Sequence, residues 1–180
     1  MTDPAPPPGR VRDAAAADAV ACVRIYAPYV TGTAITFEAE PPTVAEMAER
    51  IAAAQRTHAW LVLEQEGEVV GYAYGGAFRP RAAYRWSCEV SVYLAPDSRG
   101  SGGGRVLYSA LLARLTARGF RTAVATLTLP NEPSLRLHRA LGFEPAGSFR
   151  RIGWKSGSWH DVAWFQRDLE AGADPPAEPR

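Results

Sequence analysis

The sequence predicts a mixed α/β domain in which one central, mostly antiparallel twisted sheet is covered by helices. Three observations carry that expectation. Residues 86–94 alternate strictly: Trp86, Cys88, Val90, Val92 and Leu94 share one face, and Ser87, Glu89, Ser91 and Tyr93 share the other. A glycine-rich stretch, residues 99–105, follows that strand and leads into a helical pattern with Leu107, Leu111 and Leu115 at i, i+4 and i+8. Strands outnumber helices early, and the second half reads strand–loop–helix–strand–helix–strand.

Taken in order, residues 11–13 predict a short first strand. A helix is expected from about 18 to 29, with Val20, Val23, Ile25 and Tyr26 supplying its apolar faces. Residues 31–42 contain a glycine, threonines and a proline pair, and read as a loop. Thr43 with Glu46 three positions on has capping-box spacing, so a second helix starts there and ends before Trp60. Residues 60–63 and 69–78 predict two strands joined by a Glu66-Gly67 turn, a hairpin. The helix after the glycine loop is expected over 105–118, closed by Gly119. A strand over 124–129 is broken by Pro130-Asn131. Pro133 then suits the first turn of a short helix over 134–141, capped by Gly142. Residues 159–168 supply the last strand. Residues 1–9 and 171–180 are rich in proline, alanine and acidic side chains, so both are expected as disordered tails around a single domain over 10–170.

Composition removes several function classes. The 180 residues fit one domain, and 47% hydrophobic with 22% charged residues supports an ordinary core. A net charge of +1 gives no basic excess for general nucleic-acid binding. No apolar run has the length of a membrane span, and the N-terminus lacks an apolar signal stretch. Cys22 and Cys88 cannot build a disulfide framework and read as reduced thiols, so a cytoplasmic protein is expected. His58, His138 and His160 show no ligand spacing, and no metal is expected. Alternation sets Cys88 on the face opposite Glu89, which disfavours a thiol nucleophile.

The glycine loop is the strongest local feature. Glycines let the backbone turn tightly and approach an anion, and a helix N-terminus adds unpaired N–H donors. Arg99 and Arg105 add positive charge, so a phosphorylated ligand is expected at Arg99, Gly100, Ser101, Gly102, Gly103, Gly104 and Arg105. A Walker loop is excluded because Gly104 is followed by Arg105-Val106. A dinucleotide fingerprint is excluded because its last glycine would fall on Arg105 or Leu107.

The loop resembles the Arg/Gln-x-x-Gly-x-Gly/Ala signature of the GNAT acetyltransferase superfamily. Further similarity runs through Gly71-Tyr72-Ala73-Tyr74, Phe78-Arg79-x-Arg81-x-x-Tyr84, Trp86-x-x-Glu89, Leu129-Pro130-Asn131-x-x-Ser134-x-x-Leu137-His138 and Lys155-x-Gly157-x-Trp159-x-Asp161-Val162. Together these look like the phosphinothricin and methionine sulfoximine N-acetyltransferase branch, over roughly residues 10–168. The resemblance implies a GNAT fold, acetyl-CoA as acetyl donor, a small amino-acid-like acceptor, and a homodimer with its active site near the subunit boundary.

Glu89 stands on the polar face about five residues before the loop, ~17 Å at strand rise, which leaves room for an extended pantetheine arm. It reads either as a general base for the ammonium or as a solvated strand glutamate, and the resemblance implies the base. His138 reads as a packed histidine between leucines, an acid for the leaving thiolate, or a substrate-orienting group. Asn131 caps a helix or bonds the pantetheine; the resemblance implies that Asn131 and Ser134 are cofactor contacts. Val92, Tyr93 and Leu94 are expected to offer backbone hydrogen bonds to the pantetheine amides. Arg79 and Arg81, at i and i+2 of an extended segment, suit a bidentate grip on a carboxylate or phosphinate; the alternative is solvated charge. Tyr84 is expected to select the acceptor with them; Phe37 matches an aromatic that lines the acceptor pocket in the branch it resembles, and reads equally as plain core. Gly103 stands where relatives often have a bulkier residue, so added loop flexibility is expected there. Two other readings stay open: a non-catalytic acyl-CoA-binding domain, and an acetyltransferase for another amine such as a peptide N-terminus. The arginines disfavour a polycationic aminoglycoside.

Overall fold

The computed structural model describes residues 9–169, 174 and 176–179. Seven strands form one sheet: β1 (Arg10–Asp13), β2 (Ala59–Gln65), β3 (Glu68–Ala77), β4 (Ser87–Leu94), β5 (Thr122–Thr128), β6 (Glu144–Lys155) and β7 (Ser158–Asp168). Their spatial order is β1-β2-β3-β4-β5-β7-β6. Every neighbouring pair is antiparallel except β4 with β5. Four helices cover the sheet: α1 (Ala19–Gly32), α2 (Val44–Thr57), α3 (Gly103–Ala117) and α4 (Glu132–Ala140).

The two cores follow from strand alternation. Cys88, Val90, Val92 and Leu94 point toward α3, where Leu107, Tyr108, Leu111 and Leu115 are fully buried. Tyr93 points the other way, into a second core with Tyr26, Tyr29, Trp60 and Tyr72 beneath α1 and α2. The face read as polar from sequence is therefore apolar at Tyr93, because helices cover both sides of β4. Trp86 does not share the apolar face: it precedes β4, and its indole N–H donates to the Ala177 carbonyl at 2.9 Å.

Local chemistry sets the helix starts. At α2 the Glu46 amide donates to Thr43 Oγ1 at 3.2 Å, while the Thr43 amide donates to Glu46 Oε2 at 2.7 Å, completing the expected capping box. Before α1, Asp18 accepts from the Ala15 amide at 2.7 Å and from both terminal nitrogens of Arg12. The Arg12 guanidinium holds that carboxyl below its ordinary range.

Three sequence expectations are corrected. Helix α3 begins at Gly103, two residues earlier than expected. Gly103 is buried, and a Cβ there would meet Leu63 Cδ2 at 2.7 Å, so it is a packing glycine between α3 and β2 and not a source of flexibility. Strand β6 has no counterpart in the sequence reading. It is exposed along nearly its whole length and its pairing with β7 is irregular, so its side chains show no buried/exposed alternation to read.

Residues 1–8, 170–173, 175 and 180 lie outside the described residues, so most of both expected tails falls there. Residues 176–179 lie against the start of β4, where Glu178 pairs with Arg85 at 2.6 Å. No helix among the described residues is long and apolar enough to cross a membrane, and no group of three or more His, Cys, Asp or Glu among them is placed to hold a metal ion.

Candidate active site

The site is built where the sheet comes apart. Strands β4 and β5 pair at only three positions, Ser87–Thr122, Cys88–Ala123 and Glu89–Val124. Beyond Glu89 they separate, and a cleft opens between Val90–Tyr93 on one side and Thr126–Thr128 on the other, with Tyr108, Asn131, Ser134 and His138 on its floor and Ile35 at its rim.

Strand geometry decides which backbone groups face that cleft. The Ala95 amide donates to Val70 O at 2.8 Å, which makes this a hydrogen-bonded pair of the β3–β4 ladder. By alternation the Tyr93 peptide groups also face β3, while those of Val90, Val92 and Leu94 face the cleft. Tyr93 therefore cannot offer the expected backbone contact. Val90 O lies 3.2 Å from the Tyr108 hydroxyl, and Leu94 O accepts from the Tyr29 hydroxyl at 2.7 Å. The contact expected of all three residues falls first to Val92.

The glycine loop fits an anion. Gly100 and Gly102 have φ of +80° and +84°, with open space where a Cβ would be. Helix α3 follows at once, and its dipole favours negative charge there. Arg99 lies over the Tyr29 ring at 4.7 Å and donates from Nε to the Tyr29 hydroxyl at 3.2 Å, so its terminal nitrogens remain for a ligand. Arg105 is exposed on the first turn of α3. A split sheet presenting a strand edge, continuous with a left-handed glycine loop at a helix N-terminus, accommodates the pantetheine and pyrophosphate of acetyl-CoA.

Glu89 is the last residue of β4 paired with β5. Thr126 Oγ1 donates to its Oε1 at 3.1 Å across the beginning of the split, fixing one carboxylate oxygen. Thr126 was not singled out from sequence. Alternation along β5 sets it opposite the buried Ala125 and Leu127, which is the signal that could have found it.

His138 is buried, with 4% of its surface exposed, among Tyr108, Phe143 and Phe165. Its Nδ1 lies 2.8 Å from Ser134 O and its Nε2 3.0 Å from the Tyr108 hydroxyl. A carbonyl only accepts, so Nδ1 carries the proton and Nε2 of the neutral ring accepts from Tyr108. Burial pushes the His138 pKa down, which favours this neutral form. Protonating the ring would reverse the bond and turn the phenol proton toward Val90 O. Tyr108 was also missed from sequence: inside a leucine-rich helix face it reads as core, although a buried tyrosine hydroxyl needs a partner. Asn131 Oδ1 accepts from the Ser134 amide at 3.3 Å, so it caps α4 and leaves its amide donors free to meet a ligand.

The residues expected to bind the acceptor fall into two groups. Strand β3 ends at Ala77, so Arg79 and Arg81 lie in a bent connection and not in the extended segment that spacing suggested. The Arg79 guanidinium stacks 4.5 Å from the Phe78 ring and 5.3 Å from Trp164, which is paired with Thr126 across β5 and β7. Tyr84 meets Phe78 edge-on at 5.6 Å, and Arg81 is exposed nearby in sequence. Phe37 stands apart from this group, in the loop after α1, with its ring against Gly153 of the β6–β7 hairpin and 6.2 Å from His160.

This combination of fold and cleft defines a class. The model described as an acetyltransferase (GNAT) domain matches residues 11–164, and the chain belongs to this acetyltransferase family. Within it, the chain is 42% identical over 168 residues to phosphinothricin N-acetyltransferase of Streptomyces viridochromogenes, covering 93% of this chain and 92% of that one. It is 37% identical over 162 residues to the L-methionine sulfoximine/L-methionine sulfone acetyltransferase of Pseudomonas paraeruginosa, covering 89% and 94%. Its fold matches the GNAT superfamily phosphinothricin acetyltransferase from Sinorhizobium meliloti, solved in complex with AcCoA, with a TM-score of 0.89 at 42% identity over 96% and 93% of the two chains.

Proposed function

We propose that this chain transfers acetyl from acetyl-CoA to the α-amino group of a small amino-acid analogue such as phosphinothricin, methionine sulfoximine or methionine sulfone. The substrate class rests on the relatives' activities. The observation that carries the chemistry is Glu89, a carboxylate fixed by Thr126 where β4 and β5 part.

The donor supplies an activated thioester carbonyl. Val92 offers its peptide groups to the arm, the loop over 99–105 meets the pyrophosphate, and Asn131 and Ser134 border the thioester end. Glu89 takes the ammonium proton, freeing the amine lone pair for direct attack. Arg79, with its guanidinium face covered by Phe78 and Trp164 and its Nη1 donating to Phe78 O at 2.9 Å, keeps its remaining N–H groups for the acceptor's carboxylate. Arg81, Tyr84 and Phe37 complete the pocket. The Tyr108 hydroxyl, held by the neutral His138 ring, stands behind Val90 as a hydrogen-bond donor for the departing thiolate, which takes up the second proton released from the attacking amine.

We further propose a homodimer. Phe149, Ile152, Trp154 and Trp159 stand 54%, 56%, 60% and 49% exposed along the outer hairpin, an apolar edge suited to a second copy. A cytoplasmic setting agrees with the two free, buried cysteines.

Coenzyme A release, measured with L-phosphinothricin, L-methionine sulfoximine and an alanine-initiated dipeptide, tests the assignment. Turnover with either analogue well above the dipeptide is the expected result. Turnover only with the dipeptide would move the acceptor to peptide N-termini, and acetyl-CoA binding without turnover would leave a binding domain.

A further inference from the structure

One lysine contact links two distant parts of the chain beside one group of the residues expected to bind the acceptor. Lys155 is the last residue of β6, before the Ser156-Gly157 turn. Both turn residues have positive φ, 52° and 75°, a two-residue turn that returns the chain sharply into β7. From this hairpin tip the Lys155 ammonium reaches across to α1 and the loop after it. It donates to Val30 O at 2.7 Å and to Thr36 O at 2.6 Å. Val30 is in the last turn of α1, where exposed carbonyls and the helix dipole favour a cation.

The loop it reaches has no strand partner of its own. Its other ties run to the helices: Thr33 Oγ1 donates to Tyr29 O at 2.7 Å, Thr36 Oγ1 lies 2.6 Å from the Tyr26 hydroxyl, and Glu38 at its far end accepts from both terminal nitrogens of Arg50 on α2. Yet the loop carries Ile35, at the rim of the split between β4 and β5, and Phe37. The Phe37 ring rests against Gly153, two residues before Lys155 on the same strand. A Cβ added at Gly153 would overlap that ring. The hairpin therefore holds the loop twice, by a charged donor on its backbone and by a side-chain-free seat for its aromatic ring.

We propose that Lys155 is a positioning residue for the acceptor pocket, fixing residues 33–37 by its two carbonyl bonds, and that Gly153 sets where the Phe37 ring lies. A hairpin lysine with no such task would be solvated, because its four-carbon stem has ample freedom to turn into water. The proposal rests on the reading above that Phe37 borders the acceptor.

Steady-state kinetics with L-phosphinothricin and L-methionine sulfoximine as acceptors, on Lys155→Met, Lys155→Arg, Gly153→Ala and Phe37→Ala, test it. Lys155→Met is expected to raise the acceptor KM roughly tenfold, the lower end for loss of a charged hydrogen bond. Its kcat and its KM for acetyl-CoA should stay within about threefold, and Lys155→Arg should recover most of the loss. Gly153→Ala, which displaces only a side chain, should raise the acceptor KM with no change in melting temperature, and it carries the test if Lys155→Met fails to fold. Equal rises in KM for the acceptor and for acetyl-CoA, or no rescue by arginine, would reduce Lys155 to a structural residue and overturn the proposal. An unchanged acceptor KM in Lys155→Met and Gly153→Ala, beside a raised one in Phe37→Ala, would overturn it while leaving Phe37 in the pocket. No effect of Phe37→Ala would instead remove the underlying reading of Phe37, and the proposal with it.

Discussion

The two ends of strand β4 make an instructive pair. At its start, residues 87–89 pair with β5, residues 88 and 89 pair with β3 as well, and Cys88 is fully buried beneath α3. At its end, residues 90–94 keep β3 but lose β5, and the freed edge turns toward a cleft. The same strand thus serves as core at one end and as a ligand-binding edge at the other. Loss of one neighbouring ladder is what frees peptide groups for another chain-like partner. Glu89 sits at the boundary, anchored by the closed end and facing the open one. That placement gives the carboxylate a rigid support without burying it, as the proposed base requires.

The largest expected effect breaks the boundary itself. Glu89→Gln should lower kcat about a hundred- to ten-thousand-fold, ~3–5 kcal/mol of barrier, with little change in melting temperature. Unchanged turnover would remove Glu89 as the base while keeping the fold argument.

The closed end should respond in the opposite sense. Leu115 is fully buried in α3, in the same core as Cys88 of the closed end. Leu115→Ala should cost about 2–5 kcal/mol in urea unfolding, yet leave kcat near that of the parent wherever the variant stays folded. A large loss of kcat in folded protein would mean that the two ends are not separable.

The smallest effect sharpens the contrast through pH. Burial lowers the pKa of His138 from the ordinary 6.5, and His58 is lowered in the same way. Below about pH 6.5 the unfolded chain therefore binds protons that the folded chain refuses, so stability falls as pH falls through that range. The slope is limited to about 1.4 kcal/mol per pH unit for each histidine. His138→Gln should remove its share of the decline in melting temperature between about pH 7.5 and 5.5. A decline of the same steepness in the variant would mean that His138 titrates normally.

The sequence was legible where one residue's period or cap reports its own surroundings. The alternation of β4, the capping box at Thr43, the leucine stripe of α3 and the glycine loop each follow from local geometry, and each is present in the fold. Strand β6 was illegible because an exposed edge strand has no buried face to impose a pattern; only the Ser156-Gly157 turn hinted at a partner for β7. Arg79 and Arg81 read as extended because the apolar pattern runs on through Ala77 and Phe78, and nothing local marks the end of β3 at Ala77.

By itself, the sequence determined the fold class and the strand–glycine loop–helix arrangement, and it put Glu89 on the strand before that loop, since these depend on short-range periodicity and on residue chemistry that survives in any context. Only the tertiary structure decided which contacts complete the site. The β4–β5 split, the Thr126 bond to Glu89, the neutral His138 held by Tyr108, and the Lys155 bridge to α1 join residues 4 to 125 positions apart. Such contacts leave no local signature, because each side chain obeys the pattern of its own element and meets its partner only once the sheet has assembled.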